Sequence, residues 1–435
     1  MYIAKSETIH HMGLISEIIF TLVTLCSFGL FAKKILRIRR SILLGKTTDL
    51  NDHPGQRWRN VILLALGQKK MFQKPIVAVL HLILYIGFII INIELLEIIV
   101  DGILGTHRVF SKSMGEFYTF LINTFEVLAL LVTIACVIFL IRRNIIKLKR
   151  FISKDLEGWP RTDANYILII EILLMSLFLL MNSADHEVSF MISKNFTPWL
   201  TANFDQEQLL LVEKTAWWLH IIGIYAFMNY LPYSKHLHIV LAFPNAYYAP
   251  LIPSGTIHNM PDIQNEVLYA MQPELAPTNA ATPESFGAKE ATELSWKNLM
   301  DAYSCSECGR CTDACPANST GKLLSPRKIM MATRDRIENI SKNIAINKVF
   351  VPDGKTLLHD YITVEELRAC TTCNACVQEC PISISPLDII IELRRSLVME
   401  QSNAPQEWNN MFSNIENNFA PWKFSPDDRD AWTKA

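Results

Sequence analysis

The chain has 435 residues, half of them hydrophobic, with a formal net charge of −1 and ten cysteines. That length allows two or three domains, and that apolar content points to membrane segments joined to a soluble part. Once the lysines and arginines beside the apolar runs are set aside no basic excess is left, so nucleic-acid binding has no support.

Five apolar runs come near the length of about 20 residues that a bilayer core requires. They are roughly Gly13–Ala32, Pro75–Val100, Phe117–Ile141, Ala164–Ala184 and Glu213–Tyr233. The first lacks a basic start and a small-residue cleavage site, so it is expected to be a retained span and not a signal peptide. Lys33, Lys34, Arg37, Arg39 and Arg40 follow it directly. Residues 33–74 and 142–163 hold eleven and seven lysines and arginines, whereas residues 1–12, 101–116 and 185–212 hold one, two and one. The positive-inside rule then predicts a multi-pass protein of the inner, cytoplasmic membrane. Its N-terminus lies outside, and everything after the fifth span lies in the cytoplasm.

Ionisable residues within spans are candidates for function. His81 lies about two turns inside the second span and His220 about two turns inside the fifth, with His236 and His238 beyond it. In a continuous helix, eighteen positions from His220 to His238 make five whole turns, about 27 Å, and return to one face. His81 and one of His236 or His238 fall at similar depth, as a b haem held by two histidines requires, and phase favours His238. Pro232 kinks or ends the helix just before that pair. A second haem at His220 finds no histidine at the matching height, Ile90-Ile91-Asn92, and His186 is the nearest substitute. Asn92, Glu94, Asn123 and Glu126 are expected in the outer half, as a proton-accessible pocket for quinone or as inter-helix hydrogen bonds. Cys26 and Cys136 lie in apolar runs and read as small buried hydrophobes.

Residues 243–295 are rich in Pro, Ala, Asn and Thr and read as a linker with short amphipathic pieces. The run Cys305, Cys308, Cys311, Cys315, Pro316 then recurs as Cys370, Cys373, Cys376, Cys380, Pro381. Both read C-x2-C-x2-C-x3-C-P, the spacing of a two-cluster ferredoxin, in which the fourth cysteine of each run ligates the other cluster. One [4Fe-4S] cluster is therefore expected on Cys305, Cys308, Cys311 and Cys380, and the second on Cys370, Cys373, Cys376 and Cys315. A disulfide framework needs a small secreted domain, and zinc favours four ligands in two pairs, so neither suits two tandem four-cysteine runs. A helix is expected over Pro326–Asn347 and another over Asp388–Glu400. No glycine-rich nucleotide loop is present, so electrons are expected to pass to or from another protein or a lipid-soluble carrier.

These features together resemble the membrane b-haem subunit of respiratory nitrate reductase, the gamma-subunit type, joined to the iron–sulfur subunit of heterodisulfide reductase. The start Trp217-Trp218-Leu219-His220 and the end Leu231-Pro232-Tyr233-Ser234-Lys235-His236-Leu237-His238 of the last span carry the membrane part of the resemblance. It covers about residues 70–240 and 295–400. It implies two b haems on four histidines, of which His81, His220 and His238 match and the fourth position is empty. It also implies a domain with Cys-Cys-Gly motifs, expected here as a separate subunit. Residues 418–432 resemble the connector that precedes such a domain, with Trp422, Phe424 and Trp432 as docking anchors.

The expected fold is mainly α: a five-helix transmembrane bundle over residues 1–242, a linker over 243–295, a cytoplasmic ferredoxin-type domain over 296–400 and a partner-docking tail over 401–435. The expected function is electron transfer between membrane quinone and a cytoplasmic partner. That partner is a heterodisulfide-reductase-like subunit or an electron-transfer flavoprotein, reached through two [4Fe-4S] clusters and a b haem. The alternatives are a haem-free membrane anchor for a ferredoxin module and a redox sensor, the latter without a visible regulatory domain.

Overall fold

The computed structural model describes residues 2–185, 190–253, 255–277, 285–423, 425–428 and 430–434. Among them the structure is helical, with β pairing confined to two isolated bridges. The long helices are α1 (Tyr2–Ile42), α2 (Pro75–Leu104), α3 (Glu116–Asn144), α4 (Trp159–Ala184) and α5 (Gln206–Tyr230), and all five have the length and hydropathy to cross a membrane. Neighbours in sequence pack side by side, and α1 closes the ring against α2 and α5. Ile122, Phe125 and Phe178 fill the middle of the bundle, while Leu22, Leu25 and Ile76 face outward where lipid would cover them.

The helix ends follow local chemistry. Pro75 opens α2, and Gly105 ends it in the left-handed region at φ 66°, where the missing Cβ removes the steric cost. Asp205 and Gln208 form a capping box at the start of α5. At its other end α5 stops at Tyr230 because Pro232 cannot continue the ladder. Two 3-10 turns follow, Leu231–Tyr233 and Lys235–Leu237, and then α6 (His238–Tyr247).

The first helix runs ten residues past the expected end at Ala32. No glycine or proline interrupts Lys33–Ile42, and Ile35, Ile38 and Ile42 share one face by helical spacing. That face joins the core of the C-terminal domain, where the Ser41 hydroxyl also donates to the Ser341 hydroxyl at 2.8 Å. Thus α1 is a strut between the membrane bundle and the domain beyond it.

That domain is built on α7 (Trp296–Ser304), α8 (Pro326–Asn347) and α9 (Pro386–Arg395), with α8 packed against both of the others. Ser295, Ser325 and Ser385 cap the three helices, and Pro326 and Pro386 occupy first-turn positions, as helix N-termini prefer. Leu299, Ile329, Ile337, Ile340, Ile389 and Leu393 form the buried centre, each contributing about 1.5–3 kcal/mol by leaving water. Ala288, Ala291 and Leu294, expected in the linker, are instead fully buried in the same core. The chain closes with α10 (Gln406–Asn418).

Candidate metal centres

The two cysteine runs fold alike. Cys305 caps the C-terminus of α7, and Cys370 caps the short helix Val364–Ala369. Glu307 and Thr372 stand at matching places with φ 54° and 56°, and Gly309 and Asn374 follow with φ 74° and 64°. Left-handed residues turn backbone N–H groups toward sulfur: Thr372 N donates to Cys370 Sγ at 3.4 Å, and after Ser383, at φ 59°, Ile384 N donates to Cys380 Sγ at 3.3 Å.

The sulfurs sort into two groups that cross between the runs. Cys311 interacts electrostatically with Cys305, Cys308 and Cys380, and more weakly with Cys376. Cys376 interacts with Cys370, Cys315 and Cys373. Burial pushes the Cys305 and Cys376 thiols up to about 12 and Cys380 to about 11, a penalty that metal coordination overcomes by binding the thiolate. None of the ten cysteines is in a disulfide; Cys305, Cys315 and Cys376 are buried and Cys373 is exposed. Among the described residues no three Cys, His, Asp or Glu side chains converge on a single-ion site. A four-iron cubane holds its thiolates farther apart than one ion does, and the crossed grouping fits a cubane. Cys136 is buried as expected of a small hydrophobe, whereas Cys26 lies on the exposed face of α1.

The histidines meet where α2 begins and α5 has ended. The His81 and His238 rings lie 6.5 Å apart between centroids, and His236 stands edge-on to His238 at 5.6 Å. His81 Nδ1 is bonded to Gln68 Oε1 at 3.1 Å, and His238 Nδ1 to the Lys235 carbonyl at 2.9 Å. A second group on Nδ1 fixes the tautomer and leaves Nε2 as the ligand atom. Two metal–nitrogen bonds of about 2.0–2.1 Å plus the half-width of each ring span roughly 6 Å, so His81 and His238 are the pair that would hold a b haem. Burial pushes the His236 imidazole down to about 3 and lowers His238 as well, keeping both neutral. The five-turn relation between His220 and His238 does not hold, because the helix breaks at Tyr230. His220 instead points at α4, with Nδ1 bonded to the Leu174 carbonyl at 3.0 Å and its ring against Phe178. His186 and Phe424 lie outside the described residues.

Several residues that join these centres were missed by sequence reasoning. Lys235, whose carbonyl holds His238, reaches with Nζ to Glu307 Oε2 at 2.6 Å, and Glu307 sits between Cys305 and Cys308. Arg310 donates to the Lys70 and Met71 carbonyls at 3.2 and 3.4 Å. Lys70 Nζ donates to Ser383 Oγ at 3.2 Å and interacts with Cys380. The segment that carries Gln68 and Lys70 therefore runs from the first cysteine loop directly into the His81 helix. Arg327, fully buried, forks onto Asp155 at 2.8 and 2.9 Å and also donates to the Arg150 carbonyl at 2.8 Å. The one available signal was a lysine and a glutamate standing inside the two motifs.

The four polar residues expected to share a pocket or to bond between helices find different hydrogen-bond partners. Glu126 accepts from Asn182 Nδ2 at 3.2 Å and from the Ile192 and Ser193 amides at 2.7 and 3.3 Å. Asn92 and Asn123 donate back to the Phe88 and Thr119 carbonyls of their own helices. Glu94 is buried, with one carboxylate oxygen lacking a hydrogen-bond partner among the described residues.

A family model described as a 4Fe-4S dicluster domain matches residues 304–384. Among curated proteins, the chain is similar to the "Probable iron-sulfur-binding oxidoreductase FadF" of Bacillus subtilis, at 26% identity over 96% of this chain and 60% of the relative. It is similar to the EtfAB:quinone oxidoreductase of Syntrophomonas wolfei, at 26% identity over 88% of this chain and 54% of the relative. It also matches one subunit of a ferredoxin/F420H2-dependent CoB-CoM heterodisulfide reductase of Methanosarcina acetivorans, at 36% identity over 27% of this chain and 60% of the relative. The chain thus spans little more than half the length of the first two relatives. No solved structure matches it. The chain carries a 4Fe-4S dicluster domain on a helical bundle long and apolar enough to cross a membrane, and its homologues are iron–sulfur oxidoreductases.

Proposed function

We propose that the chain is an electron-transfer subunit of a membrane oxidoreductase that links a soluble redox partner to quinone in the bilayer. One observation carries the reading: the side chains able to hold redox groups form a series from an exposed loop to the spans. Cys373 is exposed, whereas Cys311 and Cys380 lie beside Arg310 and Lys70, and those two lead through Gln68 to His81 and His238. In this reading Cys305, Cys308, Cys311 and Cys380 hold one [4Fe-4S] cluster, and Cys370, Cys373, Cys376 and Cys315 hold the other. His81 and His238 hold a b haem. These groups, when bound, supply one-electron steps that let a two-electron donor feed a quinone stepwise.

The chain's part is position and tuning. N–H groups directed at Cys370 and Cys380 and burial around the sulfurs set potentials. Gln68 and the Lys235 carbonyl hold the two imidazoles, and the Lys235–Glu307 pair ties the histidine segment to the first cysteine loop. Residues 1–242 serve as the membrane unit with the N-terminus outside, the dicluster domain faces the cytoplasm, and residues 401–435 meet the partner. The likeness to the EtfAB:quinone oxidoreductase over 88% of this chain favours an electron-transfer flavoprotein as that partner, ahead of a heterodisulfide-reductase-type subunit.

The test is the full chain in liposomes with menaquinone, supplied with reduced flavoprotein while quinol formation is followed. Quinol should form, and Cys373→Ser and His81→Ala should each slow it by a hundredfold or more. Unchanged turnover in His81→Ala would remove the histidine pair from the route. A second reading, a haem-free tether for a ferredoxin module, draws on His220, whose Nδ1 is spent on the Leu174 carbonyl and whose ring meets Phe178 instead of a second imidazole.

A further inference from the structure

We infer that the apolar face of α10, together with the exposed Cys370–Asn374 loop, is the docking surface for the soluble redox partner, here committed to a flavoprotein. The inference rests on the reading above and adds which face of residues 401–435, and which cysteine loop, the partner covers. Trp408, Phe412, Ile415 and Phe419 recur at helical spacing along α10 and its end, and all four are exposed, Phe419 by 77%. An apolar stripe along the whole of a helix, with polar residues opposite, is the pattern of a face built to be covered. Among the described residues no other element packs extensively along this helix.

Its position identifies the occupant. Arg368, two residues before Cys370, donates to the Asn403 carbonyl at 3.2 Å and to its side-chain oxygen at 2.9 Å. Asn403 lies just before α10, so the helix is anchored beside the loop whose Thr371, Thr372 and Cys373 are exposed. That loop is the outermost point of the series of ligand residues, and a partner delivering electrons must come close to it. The Arg368–Asn403 bonds bring the start of the stripe close to the loop, and the stripe carries large aromatics of the kind that dominate binding at interface centres.

The same helix argues against a lipid surface as the occupant. An in-plane membrane helix carries lysines and arginines on its polar face, whereas residues 401–422 contain neither, and the polar side of α10 is Asn, Gln, Ser and Glu. Past the helix end Trp422 and Trp432 are also exposed, by 63% and 79%.

The test uses the full chain in nanodiscs and measures binding of purified electron-transfer flavoprotein by surface plasmon resonance, for the native chain and for Trp408→Glu/Phe412→Glu. Both substituted side chains are exposed, so folding is checked by equal dithionite reduction of the clusters and equal thermal stability. The expected result is binding to the native chain, weakened roughly tenfold or more in the double variant, with dithionite reduction unchanged. Equal affinities would overturn the docking surface and leave the electron-transfer reading standing. No binding to the native chain would overturn the flavoprotein as occupant, and this proposal with it, whereas loss of dithionite reduction in the native chain would strike at the electron-transfer reading itself. If the variant lowers the oligomeric mass while flavoprotein binding is unchanged, the face joins two copies of this chain and the proposal is overturned.

Discussion

Replacing Lys235 by Met removes the ammonium that bridges the histidine segment and the first cysteine loop while keeping the bulk of the side chain. Lys235 Nζ donates to Glu307 Oε2 at 2.6 Å and to the Pro160 carbonyl at 2.5 Å, and both partners of the ion pair are under 10% exposed. Breaking a buried pair costs about 3–5 kcal/mol when one charge is left alone. Glu307 keeps Arg334 at 2.9 Å, so the cost here is nearer 2 kcal/mol, a single charged hydrogen bond. At about 1.4 kcal/mol per factor of ten, the opened form of the Cys305–Cys311 loop rises roughly thirtyfold. Hydrogen exchange should show that loss of protection in residues 234–238 and 305–311, and a chelator should bleach the iron–sulfur absorbance faster by a similar factor. The Lys235 carbonyl remains on His238, so the haem spectrum should persist. Less than a threefold change in exchange and bleaching would refute the bridge.

Cys308→Ser and Cys373→Ser should each lose about half of the protein's iron and sulfide, because each removes one ligand of a different four-cysteine set; full iron in both would break the ligand assignment. Gly45→Ala places a Cβ 2.7 Å from the Trp296 amide and 2.8 Å from the Leu294 carbonyl, beside the hydrogen bonds from Lys46 N to Leu294 O and from Trp296 N to Lys46 O. Thermal unfolding of the dicluster domain should show a loss of about 1–3 kcal/mol. Arg327→Met should destabilise by about 3 kcal/mol, the low end for a broken buried pair, since Asp155 keeps the Ser325 hydroxyl at 2.8 Å. Burial pushes the Asp155 carboxyl up, but the Arg327 hydrogen bonds and charge outweigh it and hold the group below its ordinary value. Its contribution is therefore full above about pH 3.9 and lost as pH falls through the lower folded value. The gap between native and Arg327→Met in acid-unfolding curves should close below about pH 4; a gap constant to pH 2 would contradict the ion pair.

The spans and the cysteine spacing were legible because each is encoded within a short stretch of chain: about 20 apolar residues suffice for a span, and ligand spacing for a cluster loop. The helix over Pro326–Asn347 was equally plain, with proline at its start and apolar periodicity through it. The continuation of α1 was hidden because Lys33–Arg40 look like a loop until the partner core of Leu294 and Leu299 is known. The same applies to Ala288 and Ala291, small residues in a proline-rich neighbourhood whose burial depends on α8 and α9. The five-turn relation to His238 required an unbroken helix, and with Pro232 ahead the helix ends at Tyr230, about two turns too early. Lys235 and Glu307 stood out only as charged residues within the motifs; their pairing, and that of Gln68 with His81, was hidden because each joins segments that only the assembled fold brings together. Glu94 and Glu126 looked alike in sequence, yet one is saturated by the Ile192–Ser193 turn and the other is not.

The most direct test is a dithionite-reduced minus oxidised visible spectrum of the anaerobically purified chain, with haem, iron and sulfide quantified per chain. Two [4Fe-4S] clusters and one b haem are expected, with the haem lost in His81→Ala and in His238→Ala while the clusters stay. Intact clusters without any haem in the native chain would contradict the proposed route and leave the membrane bundle as an anchor.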